Sequence, residues 1–405
     1  MDQFLVDRGE LQVAGMPLRL LAARVGSTPF YAYSRQLLQA RVAQLRAALP
    51  AAVKLHYAMK ANPMPAVVGF MAGLVDGIDV ASAGELAVAL DAGADPAEIS
   101  FAGPGKRDPE LVQAVAAGVL VNVESMRELP VLARASQALG LPARVAVRVN
   151  PDFELKGSGM KMGGGPKQFG VDVELVPELL AFAAREGLAF EGFHLYAGSQ
   201  NLKAESICEA QAKSYELALR LAEHAPSPVQ FLNLGGGFGI PYFPGEQALD
   251  LAPIGANLQA ICERATRELP QAHIVIELGR YLVGEAGVYV ARITDRKVSR
   301  GQVYLVTDGG LHHHLSASGN FGQVVRKNYP VTLSPGLAGR ALGVELESAS
   351  VVGPLCTPLD LLADRMELPV AQEGDFAVVF QSGAYGASAS PQRFLGHPVC
   401  TEVLV

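Results

Sequence analysis

Residues 53–63 read VKLHYAMKANP. Val53, Leu55, Tyr57 and Met59 alternate as one face of a β-strand does, and Asn62-Pro63 ends the run. One lysine, Lys60, stands at the end of this apolar stretch. A strand-end lysine is ordinarily a surface residue whose stem lies across apolar neighbours. The chemical alternative is a lysine in apolar surroundings, which loses its proton readily and attacks a carbonyl to form a Schiff base.

Seven more runs of the same kind follow: GIDVAS (77–82), EISFAG (98–103), GVLVNVES (118–125), ARVAVRVN (143–150), FEGFHLYAGS (190–199), QFLNLGGGF (230–238) and HIVIELG (273–279). Ala/Leu-rich stretches of helical spacing separate them, such as SAGELAVALDAG (82–93) and VPELLAFAAREGL (176–188). Eight strands alternating with helices predict a (β/α)8 TIM-like barrel over residues 30–285, with a doubly wound open sheet as the alternative. Beyond residue 285, GVYVARITDRKV, QVYLVTDGG, ALGVELESASVVG and DFAVVFQSG read as strands with few helices between them. They predict a mostly antiparallel β domain of residues 286–405, joined by the β-like opening FLVDRGELQVAG, so that residues 1–29 belong with it.

The bulk numbers narrow the class. At 405 residues the chain has room for two domains, and its net charge of −7 argues against nucleic acid as the main partner. Half of the residues are hydrophobic, yet no run approaches the roughly 20 apolar residues of a membrane span. The opening MDQFLVDRGELQV has acids and no apolar core of a secretion signal. Four cysteines without CxxC spacing suit a reducing cytoplasm and free thiols.

In a barrel, active residues sit at the carboxyl ends of strands. Lys60, Asp79, Ser82, Arg148, Asn150, Ser199, Gly235, Gly236, Gly237, Glu277 and Arg280 all fall there. LNLGGGFG offers successive backbone N–H groups and a close approach to a phosphate. Ser199 of YAGSQ and Tyr385 of SGAYGAS add hydroxyls to the same reading. Glu277 lies beyond a very apolar strand, as a carboxylate that keeps a heteroaromatic nitrogen protonated would. Cys356, in the Gly/Pro-framed loop VVGPLCTPLD, is a thiol able to return a proton to a carbanion. His312, His313 and His314 are consecutive, and strand neighbours face opposite ways, so no metal site is expected of them.

In this order, YAMKANP, DVASAGE, RVNPD, AGSQ, GGGFG, ELGR, GPLCTPLD and GAYGAS resemble the fold-type III pyridoxal-phosphate (PLP) decarboxylases, the group of diaminopimelate, ornithine and biosynthetic arginine decarboxylases. The resemblance covers roughly residues 28 to 395. It implies a PLP-binding barrel, a C-terminal β domain and a homodimer with shared active sites. It makes Lys60 the Schiff-base lysine and Glu277 the partner of the pyridine nitrogen. Gly235, Gly236, Gly237, Ser199, Arg280 and Tyr385 would hold the phosphate, with Arg280 and Tyr385 also beside the substrate. Asp79 and Arg148 would support lysine and ring, and Cys356 of the partner subunit would reprotonate Cα.

Two positions depart from that pattern. Tyr196 stands where relatives carry a ring-stacking histidine: it supplies an aromatic face without imidazolium charge. Thr357 follows Cys356 where familiar members have an acid that holds the substrate's distal amine. A buried ammonium without that counter-charge is costly, which argues against a simple diamino acid as substrate. Lys156, Lys161 and Lys167, in the glycine-rich loop ELKGSGMKMGGGPKQFG, read either as a solvated flexible loop or as cations that greet an anionic or carrier-protein-tethered group. CTPLD, GGLHHHL and KGSGMKMGGG are similar to an exosortase-associated subgroup and to decarboxylases of modified amino acids, such as carrier-bound glutamate or citryl-amino acids. Diaminopimelate decarboxylation, racemisation on the same fold and non-catalytic PLP binding remain as alternatives. The GPLC motif speaks against the racemase, and the β domain against the non-catalytic protein.

Overall fold

The computed structural model describes residues 3–7, 9–153, 160–161, 163–321, 323, 325–339, 342–343 and 345–405, with the side chains of 160 and 161 left out. The chain divides into two compact units: Arg41–Ile240 with Gln247–Tyr281, and Met1–Ala40 with Pro241–Glu246 and Leu282–Val405.

The first unit is a closed barrel of eight parallel strands. They are β1 (Lys54–Ala58), β2 (Gly77–Val80), β3 (Ile99–Phe101), β4 (Leu120–Val123), β5 (Arg144–Asn150), β6 (Ala189–Leu195), β7 (Phe231–Gly236) and β8 (His273–Leu278). β8 pairs with β1, and β4 with β5, which closes the ring. The eight apolar runs are these strands. Their burial on both faces is why they read as near-continuous hydrophobic runs. Between them lie helices such as Ala83–Asp91, whose N-cap Ser82 accepts a hydrogen bond from Glu85 N at 3.1 Å. A cap of this kind contributes about 1 kcal/mol, so Ser82 does a structural task.

The other unit is β-rich. Gly287–Ser299 is its spine, pairing antiparallel with Gln302–Thr307, Phe376–Val379 and Phe30–Tyr33. Phe30–Tyr33 therefore belongs here and not to the barrel, whose unit begins at Arg41 rather than at residue 30. Its FYAY sequence is buried at all four positions, as an inner strand requires. The core joins Phe30, Val288, Val290, Phe376 and Val378 to Leu11, Leu18 and Leu21 of the N-terminal segment. That segment makes a small sheet of its own from Val6–Asp7, Glu10–Val13 and Met16–Pro17.

The barrel interior carries a buried polar layer. Asp79 Oδ1 accepts from Ser100 Oγ at 2.5 Å and lies 3.1 Å from His56 Nδ1, and Asn122 Nδ2 donates to Ser100 Oγ at 3.2 Å. Burial alone would push His56 down, but the charge and hydrogen bond of Asp79 outweigh it and raise it above its ordinary value. A histidine raised in the fold contributes stability that is complete below its unfolded value, near 6.5, and is lost as pH rises through the folded value. The stability advantage of wild type over His56→Gln is therefore expected to shrink between pH 6 and pH 9 in thermal unfolding of the apoprotein. An advantage that grows over that range would contradict the ion pair.

Candidate active site

Carboxylates and cations collect at the carboxyl end of the barrel. Glu277 on β8 is buried; its Oε2 accepts a hydrogen bond from Asn233 Nδ2 at 3.0 Å. His194 Nε2 on β6 lies 3.0 Å from the same oxygen, an ion contact out of line for a hydrogen bond. Burial pushes this carboxyl up, yet the charge of His194, with Lys60 and Arg148 adding to it, outweighs burial and pulls Glu277 down to about 2. Glu277 is thus an ionised acid at neutral pH.

Lys60 differs from the expectation of a lysine closing a buried strand in apolar surroundings. β1 ends at Ala58, and Lys60 is the middle residue of the 3-10 turn Met59–Ala61, where Asn62 N bonds back to Met59 O at 2.9 Å. Its side chain is exposed, with Nζ 5.7 Å from the centre of the Tyr196 ring. Its charge reaches both Glu277 and Glu85.

The three glycines after β7 are required by close approach. A Cβ on Gly236 would stand 1.9 Å from Glu277 O, and one on Gly237 2.2 Å from Gly198 O. Gly235 and Gly237 also have φ of +74° and +75°. Gly235 donates its N–H to Asn233 Oδ1 at 2.7 Å, which shapes the turn. Ser199, in the short strand Gly198–Ser199, adjoins this turn, and half-buried Arg280 begins the helix Arg280–Val283 after β8.

Arg148 is buried and donates from Nη1 to Glu124 Oε1 at 2.9 Å, with its guanidinium 5.0 Å from the centre of the Phe169 ring. Asp79 Oδ2 is buried and has no hydrogen-bond partner among the described residues. These groups fit pyridoxal phosphate: an amine, an ionised acid for the ring nitrogen, an aromatic face, a glycine turn and an orphaned carboxylate oxygen.

Cys356, Thr357 and Tyr385 belong to the β-rich unit. Cys356 is exposed in the loop closed by Asp360, whose oxygens accept from Leu311 N at 2.5 Å and Leu355 N at 2.8 Å. Thr357 Oγ1 accepts from Leu359 N at 3.3 Å. Tyr385 has φ +53°, and its carbonyl accepts from Ser316 Oγ at 2.8 Å. His314 contacts Ser382 Oγ and His313 contacts Pro398 O, at 2.9 and 2.8 Å. Among the described residues no His, Cys, Asp and Glu side chains group as a metal site. Lys156 and the side chain of Lys161 lie outside the described residues, and Lys167 is half-buried.

Sequence reasoning missed His194, Asn233 and Glu124. His194 had a signal: it lies next to the carboxyl end of the strand Ala189–Leu195, where active residues of a barrel sit. Asn233 and Glu124 had none, since their partners come from other strands.

Comparison with known proteins agrees. The family "Pyridoxal-dependent decarboxylase, pyridoxal binding domain" matches residues 35–284. L-glutamyl-[BtrI acyl-carrier protein] decarboxylase of Niallia circulans is 39% identical over 382 residues, 93% of this chain and 88% of that one. The 2-[(L-alanin-3-ylcarbamoyl)methyl]-2-hydroxybutanedioate decarboxylase of Staphylococcus aureus (strain NCTC 8325 / PS 47) is 29% identical, covering 91% of this chain and 92% of that one. The crystal structure of diaminopimelate decarboxylase from Helicobacter pylori complexed with L-lysine superposes with a TM-score of 0.82 at 27% identity, over 95% of this chain and 93% of that one. Among the described residues no helix is long and apolar enough to cross a membrane. The chain belongs to the fold-type III pyridoxal-phosphate-dependent decarboxylases, with pyridoxal phosphate as its cofactor.

Proposed function

We propose that this enzyme decarboxylates an amino acid carried as a conjugate, such as glutamate on a carrier protein or a citryl-amino acid, and that it works as a homodimer. One observation carries the reading: the loop that follows Cys356 offers no acid to a distal ammonium. Thr357 stands directly after the cysteine, and Asp360, the next acid, is buried with both oxygens held by backbone N–H groups. A diamino acid would find no counter-charge there, whereas an amide- or thioester-linked side chain needs none. The likeness to decarboxylases of carrier-bound glutamate and of a citrate-derived conjugate supports the same reading. The likeness to a lysine-bound diaminopimelate decarboxylase favours the second reading, a diamino acid substrate.

In this reading Lys60 would hold the cofactor through its amine. When bound, PLP supplies an electron sink for the pair left as CO2 departs. Glu277, ionised, keeps the pyridine nitrogen protonated, and the Tyr196 ring packs against the cofactor face. Ser199, Gly235, Gly236, Gly237, Arg280 and Tyr385 would hold the phosphate, and Arg280 and Tyr385 would also border the substrate. Asp79 supports the lysine and Arg148 the ring. The Sγ–H of Cys356 of the partner subunit delivers a proton to Cα in place of the lost carboxylate. Lys167 and its neighbours in the glycine-rich loop meet the anionic conjugate.

Lys60→Ala is expected to lose the visible band that wild type develops with added PLP; an unchanged band would contradict its role. Cys356→Ala is expected to keep the band and to slow CO2 release by about 100-fold, the scale of one general acid; full activity would remove the thiol from the reaction. Carbon dioxide release from glutamyl-carrier protein, a citryl-amino acid and diaminopimelate separates the substrate readings. Release is expected from a conjugate and at least about 100-fold less from diaminopimelate, and the reverse order would overturn the conjugate reading.

A further inference from the structure

One buried, multiply bonded anion of the barrel has no part in the reaction above. Glu124 follows β4, and its side chain is 1% exposed. Oε1 accepts from Gly103 N at 2.5 Å and from Arg148 Nη1 at 2.9 Å, and Oε2 accepts from Gly170 N at 3.0 Å. One helical turn on, Glu128 Oε2 accepts from Glu124 N at 3.2 Å, and its Oε1 lies 3.1 Å from Lys106 Nζ. Lys106 is as deeply buried as Glu124, and it donates to Gly103 O at 2.6 Å and Asn122 O at 2.9 Å.

The four groups form a ladder of alternating sign: Glu128, Lys106, Glu124, Arg148. Two acids and two bases leave it neutral, as burial demands. Lys106 is enclosed, with two carbonyls and a carboxylate around its ammonium, so it takes no part as an amine. Arg148 is the member at the end of the ladder, and its charge reaches Glu277. Glu124 thus connects the backbone at Gly103 and Gly170 to the cation of the ladder whose charge reaches the site.

We propose that Glu124 is a positioning residue for Arg148, holding the guanidinium at the cofactor site while Lys106 and Glu128 supply its counter-ion pair. The inference rests on the reading of the site given above. Glu124 then acts on the cofactor's charge through Arg148, whereas a carboxylate that merely pinned Gly103 and Gly170 would act on folding alone.

The test is a double-mutant cycle on the PLP-loaded enzyme, read as the pH midpoint of its visible band. Glu124→Gln leaves Arg148 without its counter-charge, and the added positive charge is expected to lower the midpoint by about one unit. Arg148→Gln is expected to raise it. In the Arg148→Gln background, Glu124→Gln is expected to move the midpoint by less than half as much as in wild type. An unmoved midpoint in Glu124→Gln, or full additivity in the cycle, overturns the proposal. Should Glu124→Gln fail to fold, Glu124→Asp keeps the charge and withdraws the carboxylate by one methylene. It is expected to weaken PLP binding about tenfold while the apoprotein melts near wild type, and unchanged binding overturns the proposal. Wild type that develops no PLP band refutes the reading of the site and this proposal with it; a band without coupling refutes this proposal alone.

Discussion

An ionised carboxylate kept in a buried place is the constraint on which the catalytic end of the barrel depends. Glu277 loses most of its hydration, which by itself favours the neutral acid. His194 and Asn233, from the two strands before it, and the more distant charges of Lys60 and Arg148 reverse that preference. The reversal needs β6, β7 and β8 side by side in one register. Gly236 pairs with Glu277 and has room for no side chain, and His56 of β1 pairs with it on the other side. Strand order and acid chemistry are therefore linked: Glu277 keeps its charge because β6, β7, β8 and β1 lie side by side.

The two lysines of this region show how environment assigns roles. Lys106 is enclosed, and burial pushes its ammonium down, yet its donors are spent on two carbonyls and Glu128. Lys60 is exposed, thrown clear of the strand by a 3-10 turn, and stands over an aromatic ring. Of the two, Lys60 is the one whose amine is open to solvent.

Much of this was legible in the sequence. Strand periodicity and the turn residues after each run marked all eight barrel strands, and the strand-end rule pointed to Lys60, Asp79, Arg148 and Glu277. What escaped depends on pairing between strands distant in sequence. Nothing in GVLVNVES shows that Glu124 will meet Arg148, or in FLNL that Asn233 will bind both Glu277 and Gly235. Phe30–Tyr33 has the apolar texture of a barrel strand, and its pairing with Gly287–Val290 and Thr401–Leu404 assigns it elsewhere. The exposure of Lys60 matches the ordinary reading of a strand-end lysine, whereas the turn that carries it was hidden: the alternation of VKLHYAM continues to Met59, but the backbone leaves the strand at Ala58.

The most direct test of the central claim is the nitrogen-15 resonance of PLP labelled in its pyridine ring and bound to the enzyme. With Glu277 ionised opposite that nitrogen, the signal is expected to hold its protonated position from pH 6 to pH 9. A signal at the unprotonated position across that range would contradict the account.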